Sequence, residues 1–259
     1  HRDLHSFPTR RSSDLTAFYN RTGFTSGWGY GELNFYPKDT SKAALKRTAL
    51  FTWNKYGRDE IQNGNERFSL VGIRFSFTRQ GFLRVDTAWG REPWAGKTFN
   101  TSRPLRTFGN VQLYRWLSLS GNFSTGWSVY YDPVAPYQGK SRNFSGGFTL
   151  QPNSHISQNV NYSRVAFDRA SDGQRVYTVN TVYSRTTYQF DKHFQIRAIE
   201  QFDSSRRRLL TDLLASYEFV PGTVFYAGYG SLYERVDPEP YRTTSRSLFF
   251  KASYLYRFK

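Results

Sequence analysis

The sequence predicts an all-β chain, a transmembrane antiparallel up-and-down β-barrel of about 12 to 14 strands. Three observations predict it. The closing stretch, Ser247 to Phe258, sets Leu248, Phe250, Ala252, Tyr254, Tyr256 and Phe258 on one parity and Ser247, Lys251, Ser253 and Arg257 on the other. A period of two is that of a strand with one apolar and one wet face. Aromatic residues make up 19% of the chain, yet no apolar run approaches the roughly 18 residues of a membrane helix. Turn-forming residues recur between alternating segments, and no helical period competes.

Composition bounds the rest. The 259 residues hold no cysteine, which excludes a disulfide framework, a cysteine metal site and a cysteine nucleophile. A polar average does not exclude the membrane, because only every second residue of a spanning barrel meets lipid. The formal charge of +16 sets up a positive field that attracts anionic lipid headgroups, acidic glycans or nucleic acid without choosing among them.

Residues 1–15, HRDLHSFPTRRSSDL, show neither alternation nor the apolar stretch of a signal peptide. They resemble a translated sequencing-adapter remnant of the kind found at the ends of metagenomic reading frames. They are expected to be a non-native or disordered tail, with residues 16–259 a barrel fragment whose native start and export signal are missing. Such a fragment is expected to close poorly.

From residue 16 the chain alternates strands with two kinds of link. Short turns are expected near Arg79-Gln80-Gly81, Tyr114-Arg115-Trp116, Gln151 to Ser154, Asp191-Lys192 and Pro221-Gly222-Thr223. Longer loops are expected near residues 57 to 66, 92 to 104, 132 to 141, 168 to 175 and around Asp237 to Pro240. Such an asymmetry is that of an outer-membrane barrel, with periplasmic turns and external loops. Asp203 to Arg208 fits it least, being short where a long loop is due.

The segments between alternate in order. Val71, Ile73, Phe75 and Phe77 turn into Leu83, Val85 and Trp89; Leu117, Leu119, Phe123, Trp127, Val129 and Tyr131 oppose Ser118, Ser120, Asn122, Ser124 and Ser128. Phe144, Phe148 and Leu150 follow, then Ile156, Val160 and Tyr162, and later Leu209, Leu213, Ala215, Tyr217 and Phe219. Residues 176 to 190 are mixed in parity and are placed by their neighbours.

This parity assigns roles. Phe77, Tyr217, Phe219, Tyr256 and Phe258 are expected in a lipid-facing aromatic girdle on the periplasmic side, and Trp53, Trp89, Trp127 and Tyr131 in the outer one. Arg74, Arg84, Asp86, Arg106, Arg197, Asp212, Glu218 and Lys251 fall on the other parity, the expected lumen. Arg47 and Glu200 break the rule by sitting on apolar parity, which requires a rim, a bulge or a different register. Arg142, Arg164, Arg206, Arg207 and Arg208 are candidates for binding lipopolysaccharide phosphates, with a solvated basic loop as the alternative of equal weight.

Candidates for chemistry are few. His155 and His193 sit at short turns, poorly placed for a Ser-His site of an outer-membrane hydrolase. Asp168, Asp172 and Gly173 lack the ligand series of a calcium loop and read as turn formers. Gly228 and Gly230 lack the helix of a dinucleotide fingerprint and are expected to relieve crowding at a bend. No catalytic, cofactor or metal residue is expected.

RTTYQF at Arg185 to Phe190, RRRLL at Arg206 to Leu210, PGTVFYAGYG at Pro221 to Gly230 and the closing SLFFKASYLYRF together resemble one family. It is a bacterial domain of unknown function that forms the C-terminal barrel of outer-membrane proteins whose N-terminal part is similar to a family-nine carbohydrate-binding module. Weaker similarity runs back to about Trp28. The motifs are structural and bring no catalytic residues. Lys259 after the terminal aromatic departs from the family pattern, and the carbohydrate-binding-like domain is absent.

The expected function is an outer-membrane pore, transporter or anchor for that domain. Its expected partners are outer-membrane lipid and lipopolysaccharide, the barrel-assembly machinery and, through the missing domain, glycan. An outer-membrane hydrolase and a soluble basic β-protein that binds polyanions are the alternatives. Nucleic acid is disfavoured because the aromatics avoid the cationic face, whereas base-stacking platforms interleave the two.

Overall fold

Strand-forming alternation runs almost unbroken through the computed structural model, which describes residues 23–38, 44–78, 80–132, 134–236 and 238–255. Thirteen strands follow one another: β1 (Phe24–Phe35), β2 (Leu45–Asp59), β3 (Gly64–Phe77), β4 (Gly81–Trp94), β5 (Lys97–Tyr114), β6 (Leu117–Tyr130) and β7 (Tyr137–Leu150). The series continues with β8 (Ile156–Arg169), β9 (Arg175–Gln189), β10 (Phe194–Asp203), β11 (Arg208–Val220), β12 (Thr223–Glu234) and β13 (Arg242–Tyr254). Each pairs antiparallel with the next in one sheet ordered β1 to β13, and no helix occurs among the described residues. The mixed segment 176 to 190 is β9, held in register by β8 and β10.

The expected poor closure takes the form of an open sheet: among the described residues β1 and β13 pair only inward, with β2 and β12. In an odd-numbered meander the two edge strands run parallel. Direct closure would therefore make a parallel seam, while one strand of opposite sense between them would close it antiparallel.

The expected contrast between short turns and long loops is replaced by short links at both ends. The near end carries the links at 36–44, 78–80, 115–116, 151–155, 190–193 and 221–222; the far end carries 60–63, 95–96, 131–136, 170–174, 204–207 and 235–241. Where a longer loop near 92 to 104 was expected, Ala95 and Gly96 turn the chain with φ of 47° and 73°. Positive φ at both central residues is the hairpin turn that matches strand twist. All the strands but β10 run to 12 to 18 residues and exceed the roughly 9 to 11 that cross a bilayer, so the ladder continues beyond the span into what reads as loop.

Residues opposed in an antiparallel ladder share a face, and the register sorts the side chains into two sets. One face carries Val71, Ile73, Phe75 and Phe77 of β3, Leu83, Val85 and Trp89 of β4, and Leu117, Leu119, Phe123 and Trp127 of β6. On it, Ala198, Leu213, Tyr229 and Leu248 form one row across four strands, and Ile196, Ala215, Ala227 and Phe250 the next. These side chains are open to the surroundings, with Leu213 50% exposed and Phe250 75%. On the same face the row Ser184, Glu200, Thr211, Ser231 and Arg246 is polar, the next row toward the far end, Val182, Phe202, Leu209 and Tyr233, is apolar again, and on β3 and β4 Arg67 stands opposite Arg91. Glu200 thus lies in a polar break within the apolar face.

The opposite face carries the charge and what little is buried, including Phe51, Leu70 and Ala88. Side chains on it reach over an intervening strand: Arg74 to Glu32 across β2, Arg84 to Phe51 across β3, and Tyr130 to Phe167 across β7. Strands two apart are separated by nearly 10 Å, so such contacts require this face to be concave. Gly139 is needed here because a Cβ would meet the Phe167 ring at 2.4 Å. Gly228 likewise lies under the ring of Phe249, 2.2 Å from a would-be Cβ, so ring packing rather than a bend explains it.

Candidate functional site

The concave face is densest in chemistry over β1 to β5. Asp86, centrally placed on β4, has a side chain with no exposed surface and accepts from two guanidinium groups. Arg84 Nε donates to it at 2.7 Å, and Arg106 donates twice, from Nε at 2.9 Å and Nη2 at 3.0 Å. A buried carboxylate is tolerable only with such partners, and the pairing fixes the planes of both arginines. Beside them Glu32 of β1 accepts from Arg74 at 2.6 Å and pairs with Arg47 at 3.6 Å. Arg74 also keeps its Nε buried without an acceptor.

Beneath the cations lies an aromatic floor. The Arg84 guanidinium stands 4.3 Å from the Phe51 centroid and 5.3 Å from that of Phe108, and Trp53 packs on Phe68 at 5.2 Å. Tyr30, Phe51, Trp53, Phe68, Leu70, Arg74, Arg84 and Arg106 enclose a cavity of about 330 Å³. A second basin of about 610 Å³, toward the far end, is lined on this face by Asn161, Ser163, Thr181, Tyr183 and Gln201. Asp203, Arg206 and Arg208 border it as well, so it mixes neutral hydrogen-bonding groups with charge.

Register brings the eight charges of common parity onto this one face: Arg74, Arg84, Asp86 and Arg106 over β3 to β5, and Arg197, Asp212, Glu218 and Lys251 over β10 to β13. Arg197 Nε is buried and unpartnered. Further acids stand toward the far end, where Glu66 bonds Lys55 and Glu234 bonds Arg208.

The expected girdle residues divide. Phe77, Trp89, Trp127 and Tyr217 lie on the apolar face, and Phe219 at the bulge between Glu218 and Val220. Trp53 lies on the charged face, opposite Tyr30 and Leu70. Its strand inverts the expected parity because Phe51 and Trp53 form the floor under the arginines. That inversion also accounts for Arg47, which follows a register shift after Leu45 and faces Glu32. Tyr131, just past β6, packs edge-on against Trp94 at 5.1 Å and donates to Glu92 at 2.6 Å. Tyr256 and Phe258, like residues 1–15, lie outside the described residues.

Of the five arginines considered for phosphate, Arg142 and Arg164 stand on the apolar-face side, opposite Ala166 and Phe144, with Arg142 3.0 Å from Asp168. Arg206 and Arg207 are in the 204–207 turn, while Arg208 turns to the charged face and pairs with Glu234. His155 and His193 donate from Nδ1 to the carbonyls of Gln189 and Glu218, at 2.8 and 2.9 Å, in separate near-end turns. Asp172 accepts from the Gln174 amide and Arg169, and Asp168 from Arg142 and Arg175.

Glu32, Phe51, Phe68 and Leu70 belong to the site without having been singled out in the sequence. Glu32 and Arg74 are 42 positions apart, so only the register joins them. The one sequence signal was the misfit of Arg47.

No family model matches this chain, and no curated protein matches it. Among solved structures it is similar to the CymD monoaromatic hydrocarbon channel, at 11% identity and a TM-score of 0.30, over 82% of this chain and 81% of that one. It is also similar to the P. putida toluene transporter TodX, at 12% identity and a TM-score of 0.32, over 90% of this chain and 77% of that one. At such scores the likeness assigns this chain no substrate.

Proposed function

We propose that this chain is the wall of a bacterial outer-membrane β-barrel whose charged face lines a water-filled, anion-preferring passage. The observation that supports it is the pairing of an open apolar band on one face with mid-height arginines on the other. A continuous apolar surface of this extent is unfavourable in water and matched to hydrocarbon. Lipid in turn demands that every backbone group be paired, so the edges of β1 and β13 must be joined in the membrane. A rim of basic side chains then favours anionic permeants.

In this reading lipopolysaccharide phosphates meet Arg142 and Arg164, together with Arg67 and Arg91, on the apolar-face side. Insertion requires the barrel-assembly machinery, and a carbohydrate-binding-like domain elsewhere in the protein supplies any contact with glycan. A second reading has its own support: Asp86 and Glu32 already neutralise part of the arginine cluster, as they would in a closed barrel that serves only to anchor that domain.

Reconstitution of the full chain into planar bilayers separates them. Anion-selective steps support the passage, and a sealed bilayer with protected, inserted protein supports the anchor. Cation selectivity overturns the charge argument.

A further inference from the structure

The arginine cluster has more donors than the protein uses. Arg84 gives Asp86 only its Nε, which leaves both terminal nitrogens without a hydrogen-bond acceptor among the described residues, and Arg74 has a buried Nε likewise without one. Arg74, Arg84 and Arg106 are 30%, 22% and 25% exposed, all toward the cavity they line. Fixed, partly desolvated guanidinium forks suit a carboxylate, which can accept two parallel bonds. A simple halide or phosphate would leave unused the half-buried rings of Trp53 and Phe68, which pack together at 5.2 Å and line the same cavity.

We propose that this cavity binds a small carboxylate carrying an apolar, planar body, with the carboxylate on Arg84 and Arg74 and the body against Trp53 and Phe68. Its volume of about 330 Å³ is at the small end of organic-ligand pockets and matches a ligand of that size. Its height matches the apolar band, since Gly72, Arg74 and Asp86 alternate along their strands with Val71, Ile73 and Val85. Ionisable groups at that depth mark ligand or ion pathways. Asp86 is a positioning residue, because it orients Arg84 and Arg106 and is itself covered.

The inference rests on reading the charged face as water-filled interior, and a ligand series on the unmodified protein tests it. Benzoate, acetate and benzyl alcohol are titrated into the full chain folded in detergent, followed by calorimetry and by Trp fluorescence. Benzoate is expected to saturate, with acetate and benzyl alcohol each at least tenfold weaker, since one lacks the body and the other the charge. Equal affinity for acetate and benzoate overturns the site while leaving an anion passage intact. Equal affinity for benzyl alcohol overturns the role of the arginines. Benzoate binding by a protein that carries no current would keep the site and remove the passage. Arg84→Gln is expected to weaken benzoate tenfold or more and Arg84→Lys less. Unchanged benzoate affinity in a folded Arg84→Gln protein overturns the proposal.

Discussion

Arg84 sits 4.3 Å above the ring of Phe51, two strands away, while its Nε holds Asp86 at 2.7 Å. One side chain thereby links the aromatic floor to the buried carboxylate, and the register of β2, β3 and β4 brings the three together.

Asp86→Asn should therefore destabilise the fold. Removing one partner of a buried ion pair leaves the other charge uncompensated, at about 3–5 kcal/mol when dry. Arg84 and Arg106 are 22% and 25% exposed, and solvent reduces the expected loss to about 2–3 kcal/mol. Urea unfolding in detergent micelles measures it, and a loss under about 0.5 kcal/mol, the range of ordinary surface substitutions, would mean that the carboxylate is not a structural hub.

Backbone proximity gives a second expectation. A Cβ on Gly126 would lie 1.8 Å from the Ser102 carbonyl oxygen, at the register shift between β5 and β6. Gly126→Ala must displace backbone and is expected to cost about 1–3 kcal/mol, as overpacking does. Gly27→Ala, with nothing within 4 Å, should be neutral or slightly stabilising. Equal thermal midpoints for the two variants would contradict the register shift.

Strand number and order were legible because lipid and water on opposite sides impose a period of two. Val71 to Phe77 and Leu117 to Trp127 carry it plainly. It failed where the reason for it fails. Beyond the apolar band both faces meet water, so the far ends of β4 and β5 lose the alternation while keeping the ladder, and they read as loop. On β2 the concave face is itself aromatic, and Trp53 was indistinguishable from a lipid-facing residue. Tyr177 and Tyr183 on the charged face and Tyr188 on the apolar one blur β9 in the same way. The pairing of Glu32 with Arg74 depends on curvature, which leaves no mark in local sequence.

The apolar face has lipid to meet, and substitutions should report it. Leu213→Arg, in the row with Tyr229 and Leu248, is expected to cost about 2–4 kcal/mol on folding into bilayers. Glu200→Arg, in the adjacent polar row beside Thr211, replaces one charge by another and should cost no more than about 1 kcal/mol. Equal costs would mean that Leu213 does not face lipid.

At the near-end turn 190–193, the amides of His193 and Phe194 donate to Asp191 at 2.7 and 2.9 Å and hold its carboxyl below the usual carboxylate value. A depressed folded-state pKa contributes stability above the unfolded value of about 3.9, and the contribution is lost as pH falls through the folded value. The Asp191 carbon resonance should accordingly titrate with a midpoint below about 3.9. A midpoint at or above it would mean the turn's hydrogen bonds do not persist in solution.

Selectivity is the expectation closest to function. Arg197 occupies the charged face between Thr187 and Leu214, away from the aromatic cavity, with a buried Nε that lacks an acceptor. Arg197→Gln removes a charge without freeing a bound acid, so the fold should survive it better than Asp86→Asn. If the face lines a passage, the variant should lower the anion-to-cation permeability ratio roughly twofold, because one basic group of the lining is lost while the acids remain. Benzoate affinity at the separate cavity should not change. A ratio that stays constant while Arg84→Gln lowers it would confine the permeation path to β1 to β5. A ratio that both variants leave untouched would favour a sealed barrel in which the arginines serve Asp86 and Glu32 alone.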